Sequence, residues 1–194
     1  MEYFGQTQED KVIAEYMRNK DNGKYVDIGA SEPIKYSNTY LFYLKGWSGL
    51  VVEPHPHYKP MWKETRPKDI YIQSAITNYN GEAEMSSTAI VGSVIGDDYK
   101  YNLKKELYTV PCMTLNRLIE LYPDYADCDF ASIDIETSED KLLEKCDFSI
   151  FKPKLIVIEY EMRHINYKVN WEHRLVDYYK LVTTVSNNAF YIRK

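Results

Sequence analysis

Four short apolar segments of this sequence each carry an acidic residue at or just beyond their carboxyl end. These acids are Asp27, Glu53, the pair Asp134 and Glu136, and Glu159. If the segments are parallel strands of one sheet, their carboxyl ends meet at one edge, which is where open α/β sheets bind ligands. Carboxylates gathered there can accept hydrogen bonds from ligand hydroxyls or remove a proton. The pattern therefore predicts one ligand site built from several strands.

The loop after the first of these segments is typical of a nucleoside site. It reads Asp27-Ile28-Gly29-Ala30-Ser31, and a glycine there lets the backbone approach a ligand closely. Glu53 follows Gly29 by 24 residues. That is close to the ~20-residue spacing at which an acid accepts hydrogen bonds from ribose hydroxyls in dinucleotide folds. Either feature alone fits a plain turn and a surface glutamate, but together they favour nucleoside binding.

The same loop argues against a dinucleotide. It continues Glu32-Pro33 and lacks the second and third glycines of the GxGxxG motif. The added carboxylate would repel a pyrophosphate, whereas a sulfonium with an amino-acid tail tolerates an acidic pocket. The charge pattern therefore favours S-adenosyl-L-methionine over NAD, and an NAD-linked oxidoreductase is the weaker alternative.

Two histidines, His55 and His57, flank Pro56 directly after Glu53. An HxH pair can supply two metal ligands, but two ligands in a turn do not complete a site. We therefore predict no metal centre and expect this turn to lie near the adenine.

Hydrophobic periodicity predicts the elements that position these residues. Apolar runs without alternation, typical of strands buried on both faces, are interleaved with amphipathic helices. The predicted strands are Lys24–Ile28, Gly49–Val52, Ile70–Gln73, Tyr108–Met113, Phe130–Ile133 and Leu155–Ile158. The predicted helices are Glu9–Lys20, one from Ser37 or Asn38 to Lys45, His57–Thr65, one capped by Thr114, Ser138–Lys145 and Trp171–Lys180. A turn between Leu181–Val185 and Ala189–Ile192 predicts a final hairpin.

The order of these elements predicts an α/β fold with a mostly parallel sheet and helices on its faces. We expect a single domain over residues 1–194, with an N-terminal helix in 1–22, a cofactor-binding core over 24–160 and a C-terminal helix and hairpin over 171–194. The stretch 81–108 is less regular, with Glu82–Met85 predicted as a short strand and Val91–Asp98 as a mobile loop.

Composition disfavours several other classes of function. The chain has 194 residues and a net charge of −5, with no basic tract, so nucleic acid is not an expected partner. Three widely spaced cysteines suggest neither a disulfide framework nor a zinc site, and they fit a reducing, cytoplasmic compartment. No apolar run reaches membrane-spanning length, and the polar segment Met1–Asp10 is not a secretory signal.

Six segments resemble the FkbM family of methyltransferases and occur in that family's order between Lys24 and Tyr160. They read YVDIGASEPIKYSNTYLF, GWSGLVVEPHP, QSAITNYNGEAE, VPCMTLNRLIE, DFASIDIETSEDKLL and KPKLIVIEY. The resemblance implies a Rossmann-like class I methyltransferase fold, with a seven-stranded sheet and a C-terminal antiparallel hairpin. It also implies S-adenosyl-L-methionine as cofactor and O-methylation of a sugar or other small-molecule hydroxyl.

The resemblance further implies roles for individual residues. Cofactor contacts are expected from Asp27, Gly29, Ala30, Ser31, Glu53, Pro54, Ser74, Ala75 and Asp134. Among these, Glu53 matches the acid that holds the ribose, and Ser74-Ala75 lies on the adenine side. Asp134, Glu136 and Glu139 match the acids of an Asp-x-Glu-Gly-x-Glu motif that borders the reaction centre. Glu139 is also expected to begin a helix, where the helix dipole favours an acid.

The candidate catalytic bases are Asp134, Glu136 and His164. Methyl transfer is an in-line displacement in which positioning supplies much of the acceleration, but an alcohol acceptor must also lose its proton. Alternatively, Asp134 only accepts hydrogen bonds from backbone amides and Glu136 is a solvated loop acid. Candidates for the acceptor side, which helix packing explains equally well, are Tyr36, Asn38 and Tyr40.

Two positions depart from the family pattern. Ser31-Glu32-Pro33 stands where Asn-x-Gly is usual, and Thr137 stands where the acidic motif has glycine. They leave two hypotheses open. The first is an O-methyltransferase acting on a small hydroxylated acceptor such as a saccharide or glycoconjugate. The second is a nucleoside-binding module that keeps the fold without turnover. Both are compatible with a homodimer.

Overall fold

The computed structural model of the chain describes residues 2–88, 91–94, 106–135, 138–162, 167–168 and 171–194. The strands are β1 (Lys24–Ile28), β2 (Ser48–Val52), β3 (Ile70–Ile72), β4 (Ala75–Ile76), β5 (Gly81–Thr88), β6 (Val91–Val94), β7 (Glu106–Met113), β8 (Phe130–Ile133), β9 (Leu155–Glu159), β10 (Glu161–Met162), β11 (Tyr167–Lys168), β12 (Tyr179–Val185) and β13 (Asn188–Arg193). The helices are α1 (Glu9–Tyr16), α2 (Tyr40–Leu44), α3 (Lys59–Thr65), α4 (Leu115–Leu121), α5 (Glu139–Glu144) and α6 (Glu172–Leu175), with 3₁₀ turns at Pro56–Tyr58 and Pro123–Tyr125. Among the described residues, no helix combines the length and the apolar character needed to cross a membrane.

Seven strands form the main sheet in the order β3-β2-β1-β8-β9-β13-β12. Neighbouring strands in the series β3, β2, β1, β8 and β9 pair in parallel, while β13 runs antiparallel between β9 and β12. This arrangement confirms the predicted α/β fold with its antiparallel C-terminal hairpin. Strand order reverses between β1 and β8, so the crevice beyond their carboxyl ends is the point where such sheets bind ligands.

The two faces of this sheet bury separate apolar clusters, because successive residues of a strand point to opposite faces. On one face Val26 and Ile28 pack with Leu118 of α4 and Leu142 of α5. On the other face Tyr25 and its strand neighbours pack with side chains that include Ile13, Phe42, Trp47, Trp62 and Phe130. Burial on both faces explains why the strands appear in the sequence as continuous apolar runs.

A second sheet was only partly predicted. Its four strands lie in the order β4-β7-β5-β6 and bury a small cluster that includes Ala83, Met85 and Val110. The predicted strands Glu82–Met85 and Tyr108–Met113 lie within β5 and β7. The predicted mobile loop Val91–Asp98 is wrong over Val91–Val94, which pairs antiparallel with β5. Residues 95–98 lie outside the described part of the chain.

Three predicted helices extend too far. The helix predicted to begin at Ser37 or Asn38 begins only at Tyr40, and Ser37 Oγ instead accepts a hydrogen bond from Tyr40 N at 3.2 Å. The helix predicted over Trp171–Lys180 covers only Glu172–Leu175, because Tyr179 and Lys180 already pair with β13. The first helix ends at Tyr16 rather than at Lys20, and the Lys20 ammonium instead forms an ion pair with Asp129 before β8. The cap predicted for Thr114 is confirmed, since its side chain accepts a hydrogen bond from the Arg117 amide at 3.2 Å.

Candidate functional site

A cavity of about 270 Å³ lies beyond the carboxyl ends of β1, β2 and β8. All nine residues predicted to bind the cofactor line it: Asp27, Gly29, Ala30, Ser31, Glu53, Pro54, Ser74, Ala75 and Asp134. They meet because β1 is the neighbour of both β2 and β8 in the main sheet. The structure thus brings the predicted residues together, while their contact with a cofactor stays a prediction.

Gly29 brings the loops after β1 and β8 into direct contact. It has φ +79°, and a Cβ built on it would lie only 1.7 Å from the carbonyl oxygen of Asp134. A backbone hydrogen bond supports the same packing, since Asp134 N donates to Ile28 O at 3.0 Å. On the other side, Gly29 N donates to Val52 O of β2 at 2.9 Å. The sequence interpretation explained this glycine by approach of a ligand. The structure adds a second reason, because the neighbouring backbone at Asp134 leaves no space for a side chain at position 29.

Glu53 is the most firmly held acid of the cavity. Its side chain is buried, Oε2 accepts a hydrogen bond from Ser31 N at 2.8 Å, and Oε1 accepts one from His55 N at 2.6 Å. Burial raises its pKa to about 7, and the nearby charges of Asp27 and Asp134 act in the same direction against the two hydrogen bonds. Because a carboxylate offers about four lone pairs, both oxygens retain capacity to accept hydroxyl groups.

Asp27 is the second buried acid of the wall. Its Oδ2 accepts a hydrogen bond from Thr39 Oγ1 at 2.5 Å. Burial raises the pKa of Asp27 to about 6, although the Thr39 hydroxyl and the charge of Arg66 oppose this shift. Two buried carboxyls with raised pKa values make the cavity favourable for a cation, since a positive charge would stabilise their ionised forms.

Three carboxylates meet at the β8 side of the site. One ligand oxygen each from Asp134, Glu139 and Glu159 lies within 4.8 Å of the others. Glu139 begins α5, as predicted, and its Oε1 accepts a hydrogen bond from Ile135 N at 3.0 Å. Oxygen ligands of this kind suit Mg²⁺ or Ca²⁺, but strand-end carboxylates also gather without an ion, and we assign none. The other two candidate bases, Glu136 and His164, lie outside the described residues.

Aromatic rings surround the β2 end of the cavity. The His55 ring lies 5.5 Å from that of Tyr58 and 5.2 Å from that of Tyr108, measured between centroids. His55 Nδ1 accepts a hydrogen bond from His57 N at 3.1 Å, so this nitrogen caps the local turn. Burial, with a smaller effect from His57, lowers the pKa of His55 and so disfavours a positive charge on its ring. An aromatic wall of this kind suits a flat, uncharged base such as adenine.

Several cavity residues were not assigned to the cofactor from the sequence. They include Gln6, Lys35, Tyr36, Ser37, Asn38, Tyr58, Met85, Ser132 and Ser138, while His55, from the turn expected near the adenine, lines the cavity too. Gln6 arrives from the segment before α1, which is joined to the β1 loop by a bridge between Gly5 and Tyr36. No local pattern signals this long-range pairing. Of the candidates for the acceptor side, Tyr36 and Asn38 line the cavity, whereas the Tyr40 ring packs edge-on against Phe4 at 4.8 Å.

Similar solved structures define the class of fold. A methyltransferase from Geobacter sulfurreducens aligns with a TM-score of 0.50 and 10% sequence identity, over 98% of this chain and 80% of that chain. The 1,6-didemethyltoxoflavin-N1-methyltransferase of Burkholderia thailandensis, solved with 1,6-didemethyltoxoflavin and S-adenosylhomocysteine, also aligns with a TM-score of 0.50 at 10% identity, over 96% and 76% of the two chains. At such identity the likeness concerns the fold alone, which is that of class I methyltransferases.

Sequence comparison then gives the family. The model of the FkbM methyltransferase domain matches residues 27–184, which is most of the chain. The chain therefore belongs to the FkbM family and is an S-adenosylmethionine-dependent methyltransferase. No curated protein sequence matches it.

Proposed function

We propose that this chain methylates a hydroxyl group of a small acceptor of the saccharide or glycoconjugate class, in the cavity beyond β1, β2 and β8. One observation carries the proposal: residues predicted from four separate stretches of sequence line a single cavity. The cavity joins two buried acids, Asp27 and Glu53, to an aromatic end, which matches a cationic adenosyl donor. The three free cysteines are consistent with a reducing, cytoplasmic setting.

The donor would lie across the cavity with its adenosine at the β2 end. Glu53 would accept hydrogen bonds from the ribose hydroxyls, because both its oxygens are already oriented by Ser31 N and His55 N. Ala75 and Met85 would contact the adenine, while Asp27 would lie at the amino-acid end. The Ser74 hydroxyl donates to Pro111 O at 3.0 Å, so we assign it to joining β4 and β7 rather than to the ligand.

Asp134 is the proposed general base among the described residues. Its backbone amide is held by Ile28 O at 3.0 Å, and its carboxylate lies near those of Glu139 and Glu159. When bound, the donor supplies a methyl group on a sulfonium that leaves readily. The task that remains for the protein is to orient the acceptor hydroxyl and accept its proton, which is work suited to a fixed carboxylate. Glu136 and His164 remain the other candidates for this role.

The polar side of the cavity favours a saccharide as acceptor. Gln6 and Asn38 offer amides, and Ser132 and Ser138 offer hydroxyls, which can both donate and accept hydrogen bonds. Tyr36, at the same opening, is 59% exposed. Polar amides and hydroxyls beside an exposed aromatic ring suit the hydroxylated edge and apolar face of a sugar.

Two measurements test this function. The first is calorimetric titration with S-adenosylhomocysteine, for which we expect saturable binding; no binding would contradict the proposed site. The second is transfer of a labelled methyl group to a panel of sugars by wild type and Asp134→Asn. We expect the variant to bind S-adenosylhomocysteine normally and to lose about 10²-fold or more of its turnover.

The matched control is Asp124→Asn, since the Asp124 side chain is 86% exposed. Full activity in Asp134→Asn would reject Asp134 as the base and leave Glu136 and His164. Binding without transfer to any hydroxylated acceptor would favour the alternative, a module that binds the nucleoside without turnover.

A further inference from the structure

Arg66, which directly follows α3, is a buried cation whose hydrogen-bonding capacity is fully used. It is 1% exposed, and it lies behind the described wall of the cavity rather than on it. Its guanidinium stacks over the Trp62 ring, with 4.3 Å between Cζ and the ring centroid. Each of its five N–H donors has a partner. The partners are Asp69, Pro33 O, Ser37 Oγ, Tyr25 OH and Thr39 Oγ1.

Three of these partners belong to one stretch, residues 33–39, which we call the donor loop. Nη1 donates to Pro33 O at 3.1 Å and to Ser37 Oγ at 3.2 Å, and Nη2 donates to Thr39 Oγ1 at 3.0 Å. Lys35, Tyr36, Ser37 and Asn38 of the donor loop line the cavity. Arg66 therefore contacts this stretch of wall from behind.

The same contacts reach Asp27. Because Thr39 Oγ1 accepts a hydrogen bond from Arg66, its single proton is available to Asp27 Oδ2, which it reaches at 2.5 Å. The relay Arg66–Thr39–Asp27 thus fixes the orientation of a carboxylate on the cavity wall. Asp69 compensates the charge of Arg66 in an ion pair, with 2.7 Å between Arg66 Nη2 and Asp69 Oδ2.

The donor loop needs such support because its conformation is locally unfavourable. Tyr36 has φ +61° and Ser31, just before the loop, has φ +48°, values that side-chain-bearing residues rarely adopt. Such residues persist where surrounding contacts determine the backbone. Here Pro33 stands where the family usually has glycine, and the Arg66 contact to Pro33 O lies between the two strained residues.

We propose that Arg66 is a positioning residue for methyl transfer: through Pro33, Ser37 and Thr39 it holds the donor loop and Asp27 in the arrangement that binds the amino-acid end of the donor. This inference rests on the proposed function of the cavity. A purely structural Arg66 would support the fold through Asp69, Tyr25 and Trp62, and its loss would affect both ends of a ligand equally. A positioning residue instead affects the binding of the amino-acid end more than that of the adenosine.

The test compares two ligands that share adenosine. S-adenosylhomocysteine carries the amino-acid end, whereas 5′-methylthioadenosine lacks it. The variants are Arg66→Lys, which keeps the charge and loses the fork of donors, and Thr39→Val, which keeps the side-chain volume and breaks the relay. Matched controls are Arg117→Lys and Thr184→Val, both at exposed positions away from the cavity. Thermal melting identifies the variants that fold.

We expect both variants to weaken the binding of S-adenosylhomocysteine about tenfold or more and to change the affinity for 5′-methylthioadenosine by less than about threefold. Thr39→Val should also move the acidic limit of S-adenosylhomocysteine binding to higher pH, because it removes a hydrogen bond that lowers the pKa of Asp27. Arg66 and Asp69, the charged groups that act on Asp27, stay in place in that variant, as does Glu53, whose pKa is raised by Asp27.

If Arg66→Lys does not fold, Thr39→Val decides the question alone. A folded Thr39→Val with a wild-type ratio of the two affinities overturns the inference while leaving the proposed function intact. A wild-type protein that binds neither ligand overturns both.

Discussion

The carbonyl oxygen of Asp134 occupies the space that any side chain on residue 29 would need. A Cβ built on Gly29 lies 1.7 Å from that oxygen, far inside the contact distance of the two atoms. The loops after β1 and β8 therefore touch through their backbones at the point where strand order reverses. Asp27 lies two residues before Gly29, and Asp134 makes the contact through its own carbonyl group, so the contact joins two backbone segments that carry acids of the cavity wall.

Gly29→Ala should be strongly destabilising. The new Cβ meets a backbone atom that cannot rotate away, and the residue must also keep φ +79°. We expect the free energy of unfolding in urea to fall by about 4 kcal/mol or more. Gly46→Ala is the matched control, because Gly46 has φ +91° with nothing within 4 Å of its built Cβ. It should cost about 1–2 kcal/mol. Equal losses at the two positions would refute the importance of the Asp134 contact.

Glu53→Gln should weaken the binding of S-adenosylhomocysteine about 10-fold to 100-fold. The amide keeps the size of the side chain but replaces one acceptor oxygen with an NH₂ group, which would face the Ser31 or His55 amide instead of accepting from it. Titration calorimetry measures the change. Glu15→Gln, at an exposed position of α1, is the control and should bind as wild type does. Unchanged affinity in Glu53→Gln would remove this residue from the ribose site.

The stability of the free protein should depend on pH through Asp27 and Glu53. Their pKa values are raised to about 6 and about 7, so the folded state retains protons that the unfolded chain releases. Their contribution to the free energy of unfolding is therefore fully present below about pH 4 and lost as pH rises through 6 and 7. It amounts to at most about 3 kcal/mol for each group. Urea titrations of Asp27→Asn and wild type across this range isolate the effect. A difference that is constant with pH would contradict it.

Donor binding should release protons near neutral pH. A cationic ligand favours the ionised forms of Asp27 and Glu53, so its binding lowers both pKa values. Calorimetry with S-adenosylmethionine at about pH 6.5, in buffers with different ionisation enthalpies, counts the protons released. We expect fewer in Asp27→Asn. Proton uptake on binding would show that the cation lies elsewhere.

Tyr36→Ala should impair binding of the methyl acceptor more than binding of the methyl donor. Tyr36 is 59% exposed at the cavity, and its φ of +61° is equally unfavourable for alanine, so the substitution chiefly removes the ring. We expect the KM for a saccharide acceptor to rise about fivefold to tenfold and the KM for S-adenosylmethionine to stay within about twofold. Tyr16→Ala, at a side chain that is 44% exposed, is the control. A parallel rise in both KM values would place Tyr36 with the donor instead.

The sequence predicted the strands of the parallel sheet well and the helix ends poorly. Lys24–Ile28 and Phe130–Ile133 are strands with the predicted bounds. Their apolar runs are bounded by polar residues and buried on both faces, so local composition carries the signal. The helix predicted over Trp171–Lys180 failed because pairing with β13 draws Tyr179 into a strand. Such competition depends on a partner that is distant in the chain.

The sequence by itself determined the fold class, the family and the set of acids at the strand ends, because these depend on residue type and order. Only the tertiary structure decided that Gln6 reaches the cavity, that the carbonyl oxygen of Asp134 excludes a side chain at position 29, and that Arg66 supports the donor loop from behind. Each of these relationships joins residues far apart in sequence. Strand order and the packing of the whole chain decide which distant groups meet, and local periodicity does not carry that information.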